Sequence, residues 1–373
     1  MIFASALILL GMFGVSLYIF SRISKAVEYF YKKPHYSISV SLSLISSLVI
    51  VLGFFRSMVF ESEAIKSVLK AMFAYWLGIF MYLFIFVLLA DIIYLFVLLF
   101  KKLKSKRQLI RAVSILCAVI LALSASVYGF YHASVINIKS YDVDINLNSN
   151  MKVVLISDLH LGAQNSEDRL IEMVETINSQ NPDIVCICGD IFDNDYSALE
   201  NETKAIDTLS KIKSKFGVYA VLGNHDAGQS VGQMKSFVSS CGFNLLEENF
   251  TVIDNRLSLV GRADMSPIGT NSQRLKTDET LRQVPDNMPV IVMDHNPREV
   301  LEYKEKADLV MSGHTHQGQC FPGSVLTNMM YEVDYGYGLL DSGLQIVVTS
   351  GFGTWGMPMR VGTDSEIVCI NLK

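Results

Sequence analysis

No basic residue precedes the first long apolar run of this chain, no two of its six cysteines form a C-x-x-C pair, and no internal repeat or low-complexity tract is visible. The first absence excludes a secretory signal peptide, whose positive end comes ahead of its apolar core. Arg22 and Lys25 follow the run instead, so it reads as a retained span. The second absence argues against zinc-ribbon and thioredoxin-type chemistry. Cys186 and Cys188 alternate within the apolar stretch VCIC, which puts both on one face of a buried strand as small hydrophobes, and no disulfide is expected. Residues 151–373 are also short of basic charge, with 17 Lys+Arg against 30 Asp+Glu, or −13. A nucleic-acid partner, which requires a basic face, is therefore not expected.

Apolar residues are abundant: they make up 51% of the 373, and the mean hydropathy is +0.35. The excess is confined to four runs at 2–20, 38–55, 72–100 and 109–131, each long enough to cross a hydrocarbon core of about 30 Å as a helix. Residues 1–135 are expected to be a transmembrane region, 136–150 a linker and 151–373 a separate domain. Residues 1–150 carry 14 Lys+Arg against 6 Asp+Glu, or +8, so charge changes sign at the same boundary. Loops 21–37 and 101–111 hold four and six basic residues and fall on one side of a four-span arrangement. The positive-inside rule then makes this a multi-pass cell-membrane protein with its acidic domain outside the cytoplasm. Asp91 lies inside the third run and is either a functional intramembrane acid or paired with a lysine of the 101–107 cluster, and no role is assigned to it. His35 and His132 lie in or beside the membrane part.

From residue 151 short apolar strands alternate with helical periodicity: strands at 151–157, 183–188 and 217–222, helices at 166–180, 203–215 and 231–241. Further strands at 250–253, 257–260, 290–293, 308–312 and 345–349 indicate more than one sheet, so the fold class is layered α/β. The polar stretch 264–287 reads as a loop with room for one helix, a candidate lid. Five of the strands end in possible metal ligands: Asp158-Leu159-His160, Gly189-Asp190, Gly223-Asn224-His225-Asp226, Asp294-His295, and SGHTHQGQ, which carries His314 and His316. Residues at i and i+2 project to the same side of an extended chain, so each D-x-H or H-x-H pair can converge on one point. The five histidines of this half all stand at those strand ends. Carboxyl ends of strands are where sites assemble in open α/β sheets.

The ordered set D-x-H, G-D, G-N-H-D, H and G-H-T-H resembles the calcineurin-like metallophosphoesterases. The tail, SGFGTWGMPMR (350–360) followed by SEIVCINL (365–372), is similar to a bacterial, membrane-anchored branch of that superfamily. The likeness covers about 151–373 and leaves the four spans unexplained. Gln317 stands where glycine is usual, and Asp294 where a small residue is usual. The resemblance implies a layered β-sandwich flanked by helices and two divalent metal ions, Mn, Fe or Zn. Asp158, His160, Asp190 and His316 would hold one ion, and Asp190, Asn224, His295 and His314 the other, with Asp190 bridging. His225 would protonate the leaving group, its ring oriented by Asp226.

The expected reaction is hydrolysis of a phosphoester or pyrophosphate by a hydroxide activated between the two ions. The substrate is expected to be lipid-linked, or a cell-wall or extracellular phosphoester, because the domain is tethered at a membrane. The alternative is a non-enzymatic membrane sensor or transport accessory. Arg360 either clamps a phosphate or pairs with Glu366, and Trp355 is either a core anchor or an apolar contact for a lipid-like substrate.

Overall fold

The computed structural model describes residues 2–32, 36–164 and 166–373, so His35 lies outside the described residues. The chain divides into two compact units, Met1–Phe130 and Tyr131–Lys373. The first is helical: α1 (Ile2–Tyr31), α2 (Tyr36–Phe54), the short α3 (Arg56–Val59), α4 (Glu63–Leu98) and α5 (Arg107–His132), whose last residues enter the second unit. Among the described residues three helical stretches, Tyr36–Phe54, Ala64–Leu98 and Lys101–His132, are long and apolar enough to cross a membrane. That is one fewer than expected. The remaining run, 2–20, lies within α1, and the side chains of residues 2–9 are outside those described.

Small hydroxyl residues sit where the helices meet: Ser39, Ser43 and Ser46 of α2 are buried, Ser16 and Ser46 lie 3.2 Å apart, and the Trp76 indole donates to Ser46 at 2.9 Å. Such residues allow close helix approach without leaving a polar group unpaired in hydrocarbon. Asp91 pairs with Arg22 at 2.6 Å, accepts from the Tyr18 hydroxyl at 2.9 Å and has Arg111 at 3.5 Å. Arginines of α1 and α5 thus stand in place of the lysine partner. Lys101 is ten residues beyond Asp91, about 15 Å along a helix, whereas the arginines stand at its own depth.

The second unit is two stacked six-stranded sheets. The strands are β1 (Ile136–Val143), β2 (Met151–Ile156), β3 (Ile184–Cys188), β4 (Val218–Val221), β5 (Asn244–Leu245), β6 (Asn249–Ile253), β7 (Leu257–Gly261), β8 (Val290–Met293), β9 (Leu309–Ser312), β10 (Gly336–Leu339), β11 (Gln345–Val348) and β12 (Ser365–Leu372). One sheet runs β1-β12-β2-β3-β4-β5 and the other β10-β11-β9-β8-β7-β6. The two-residue period of the strands builds the layers. Val153, Leu155, Cys186, Cys188 and Val221 face Leu259, Met293, Met311 and Val347 across the central layer. Their neighbours Val154, Ile156, Val185, Ile187 and Ala220 face outward onto α6 (Leu170–Ser179), α7 (Glu202–Leu209) and α8 (Val231–Ser240). The expected sandwich with flanking helices is the observed architecture.

The expected linker is not one. Residues 136–143 form β1, in parallel register with β12 from Ile136↔Ser365 to Val143↔Leu372. Its alternation is masked because an edge strand buries only part of one face. Three further strands, β5, β10 and β12, and the helix α10 (Gly323–Met330) also had no clear sequence signal, while α9 (Thr277–Leu281) is the one helix for which the stretch 264–287 left room.

Candidate metal centre

Each expected ligand follows the carboxyl end of a strand: Asp158 and His160 follow β2, Asp190 follows β3, Asn224 follows β4, His295 follows β8, and His314 and His316 follow β9. These strands lie side by side in their sheets in the orders β2-β3-β4 and β9-β8, so their ends form two adjacent rows. The seven ligands meet in one buried cluster. His160 Nε2 is 3.0 Å from His316 Nε2, which is 3.3 Å from Asp158 Oδ1. His295 Nε2 lies 3.2 Å from Asn224 Oδ1 and 3.3 Å from His314 Nδ1, and His314 Nδ1 lies 2.8 Å from Asn224 Oδ1. Asp190 Oδ2 joins the groups, 3.2 Å from His295 Nε2 and 3.8 Å from His160 Nε2.

Close approach and backbone strain are both built in. Asp158, His160, Asp190, His314 and His316 have φ of 56°, 47°, 49°, 70° and 48°, the left-handed region that L side chains rarely enter. Such strain of order 1–3 kcal/mol per residue persists where surrounding structure over-determines it. Gly223 is required for a different reason: a Cβ there would collide with the Asp190 carboxylate. Gln317 has φ 51° and ψ 33°, which explains why glycine is usual at that position.

The donor set fits divalent cations. It is oxygen and imidazole with no thiolate, and ring nitrogens of neighbouring residues face each other instead of facing protons. His295 Nδ1 donates to the Cys188 carbonyl at 2.7 Å, which fixes the ring with Nε2 directed toward the cluster. Burial, with the positive charge of His295 close by, lowers His314 to about 3, so its ring is neutral and ready to ligate. Burial alone would raise Asp190, but His295 and His160 hold it below the usual carboxylate range.

One acid takes a different role from the one expected, and another was not singled out in the sequence. Asp226 does not reach the ring of His225. Its carboxylate accepts from the backbone N–H groups of Ile191, Phe192 and Gly223 at 3.0, 2.7 and 2.9 Å, tying the β3 and β4 loops together. Its own side chain is drawn there because three otherwise unpaired amides converge on it. The acid that faces His225 is Asp193, with Oδ1 3.8 Å from His225 Nδ1 and 3.5 Å from His160 Nδ1. Asp193 stands three residues after Asp190 in GDIFD, and that spacing is the signal that would have found it.

Arg360 is fully buried and donates to the carbonyls of Ser350, Gly351 and Gly353 at 2.7, 3.1 and 2.6 Å, so it braces the tail loop in place of either expected role. Glu366 instead accepts from Tyr335 and Thr349. Asp294 turns away from the cluster to Arg274 at 2.7 Å and the Tyr303 hydroxyl at 2.6 Å. Arg274 belongs to the candidate lid, so that segment is anchored, and it contributes Ile268 to the wall of the site. A cavity of about 530 Å³ opens onto the cluster, lined by Asp190, Asn224, His225, His314 and His316 and by an apolar side with Met330, Tyr331 and Trp355.

The model for the calcineurin-like phosphoesterase family matches residues 151–318. An uncharacterized metallophosphoesterase of Campylobacter jejuni is 30% identical over 98% of this chain and 97% of its own length. One of Aquifex aeolicus is 31% identical over 68% of this chain and 98% of its own. A transmembrane protein with a metallophosphoesterase domain from Danio rerio is 29% identical over 69% of this chain and 62% of its own. With five strand ends gathered into one metal-type cluster and a relative alike along nearly the whole chain, this membrane protein belongs to the calcineurin-like metallophosphoesterase family.

Proposed function

We propose that the enzyme hydrolyses a phosphoester or pyrophosphate with two divalent ions, one held by Asp158, His160, Asp190 and His316 and the other by Asp190, Asn224, His295 and His314. The observation that carries this reading is the shared position of Asp190, within 3.2 Å of one histidine group and 3.8 Å of the other. When bound, such a pair of ions lowers the pKa of a water between them and neutralises phosphoryl oxygens during in-line attack. His225 stands at the cavity wall with its main chain fixed by a 2.8 Å bond from its N–H to Asp190 Oδ1. It supplies the proton to the leaving oxygen. Burial lowers the basicity of His225, which makes the protonated ring a stronger acid, and the charges of Asp190 and then Asp193, which faces its Nδ1, oppose that shift.

The substrate lies at or near the membrane, outside the cytoplasm. Four spans, with α1 as the first, and the ten basic residues of loops 21–37 and 101–111 support that orientation. Full-length enzyme in lipid nanodiscs, stripped and reloaded with manganese, is expected to bind two ions and turn over aryl phosphate esters, with His225→Ala lowering the rate about 100-fold. Two bound ions with no turnover of any phosphomonoester, phosphodiester or pyrophosphate would refute hydrolysis. A phosphatase reporter fused after Lys373 is expected to be active only outside the cytoplasm.

A further inference from the structure

α10 has its polarity turned inside out. Helices that cover a core place apolar residues inward, whereas α10 buries none of its residues. Its polar residues hold it down: Thr327 donates to Asp334 at 2.7 Å, and the Asp334 carbonyl accepts from Thr315, between the two ligand histidines, at 2.7 Å. Backbone atoms of Gly318 and Gly323 pack against each other, fixing the helix beside His316. Val325, Leu326, Met329 and Met330, at i, i+1, i+4 and i+5, then form one continuous outward stripe. Leu326 is 62% and Met329 80% exposed. Trp355, more than half exposed, extends the surface beside Met330. No charged residue lies between Phe321 and Tyr331.

The patch is continuous with the catalytic cavity, since Met330, Tyr331 and Trp355 line that cavity too, and the Trp355 ring stands 6.2 Å from that of His225. The apolar side of the cavity thus leads from the histidine cluster onto the exposed apolar side chains of α10. Such surfaces on soluble parts of proteins mark binding sites. The helix gives about 12 Å of apolar track. Covalent continuity adds to the argument: β1 starts at Ile136, four residues after the last apolar helix ends at His132, so the unit works where amphiphiles are concentrated.

We propose that the outward stripe of α10, with Trp355, binds the hydrocarbon tail of an amphiphilic phosphoester whose phosphate occupies the histidine cluster. The inference rests on the phosphoester reading above and names its substrate class. A methylene wholly withdrawn from water contributes about fourfold in affinity, and one half covered about twofold. Binding of n-alkyl phosphates below their aggregation concentration is followed through Trp355 emission, with the full chain in nanodiscs, Trp76→Phe as background and empty discs subtracted. Affinity is expected to rise about 16-fold from butyl to octyl phosphate, four methylenes at about twofold each. In Leu326→Ser/Met329→Ser that rise is expected to shrink to within about twofold, with ethyl phosphate binding and aryl phosphate turnover unchanged.

Equal affinity for butyl and octyl phosphate in the parent protein would overturn the proposal, as would a chain-length rise that survives in the double variant. A loss of self-association in the variant, with no chain-length effect, would assign the stripe to a second copy instead. Chain-length dependence without turnover of any ester would remove the hydrolase reading and keep the tail site. Turnover without chain-length dependence would do the reverse.

Discussion

Replacing Asp193 by asparagine keeps the shape of the side chain and removes the charge that faces two functional histidines. Its Oδ1 is 3.5 Å from His160 Nδ1 and 3.8 Å from His225 Nδ1, and the side chain is 26% exposed. At 3.5 Å and an effective dielectric of about 20, the gross attraction for a charged ring is roughly 5 kcal/mol. Exposure and the neutral state of a ligating imidazole reduce this. Partners of metal-bound histidines typically change affinity or activity by about 10- to 100-fold, roughly 1.4–2.8 kcal/mol. We expect Asp193→Asn to raise the metal concentration for half-maximal activity by about that factor at the ion held through His160. Metal titration by calorimetry measures the affinity, and kcat at saturating metal separates it from the His225 effect. The second effect is expected to leave kcat several-fold low even when both ions are bound. Affinity and kcat both within twofold of the parent would refute a positioning role for this acid.

Asp190→Ala is expected to lose both ions in elemental analysis of the purified protein, whereas Asp158→Ala loses about one, because among the described residues Asp190 is the acid whose carboxylate lies within 3.8 Å of ring nitrogens of both ligand groups. Chelation of the parent protein is expected to lower the stability of the second unit by about 5 kcal/mol, about 2.7 kcal/mol for each of the two ions, relative to protein at a metal concentration 100 times Kd, read as a fall in its Tm. Gln317→Gly removes a left-handed L residue and is expected to stabilise by about 0.5 kcal/mol, the relief of about 1–2 kcal/mol less the added chain entropy of glycine, seen as a small rise in Tm. Burial alone would raise Asp364, but Lys139 at 2.9 Å and His132 at 2.9 Å hold it below the usual carboxylate range. Its stabilisation is therefore present above the unfolded carboxylate value and lost as pH falls through the lower folded one. Asp364→Asn is expected to cost a few tenths of a kcal/mol at pH 7, the screened value of a part-exposed pair, and nothing at pH 2 in denaturant titrations.

The ligand set was legible because every member sits next to a strand with a clear apolar run. VVLIS, VCIC, VYAVL, VIVM and DLVMS announce themselves by composition, and the polar residue that follows each is then a strand-end residue by position alone. Asp226 and Asp193 were harder to tell apart. Both are acids close to a ligand, and only the direction of each carboxylate decides which meets a ring and which caps three amides. β1 was read as linker because its partner, β12, lies more than 220 residues away and an edge strand shows weak alternation. α10 was missed because an apolar stripe on an eight-residue helix looks like a core strand or nothing at all until its exposure is known.

Local pattern and composition identified three of the four expected membrane-crossing helices, the alternating strands and the chemical type of each strand-end residue, since these depend on neighbours within one or two turns. Proximity between segments 30 to 160 residues apart is a property of how the sheets stack, so the shared position of Asp190, the turn of Asp294 toward Arg274 and the outward face of α10 beside the histidines were decided only in three dimensions.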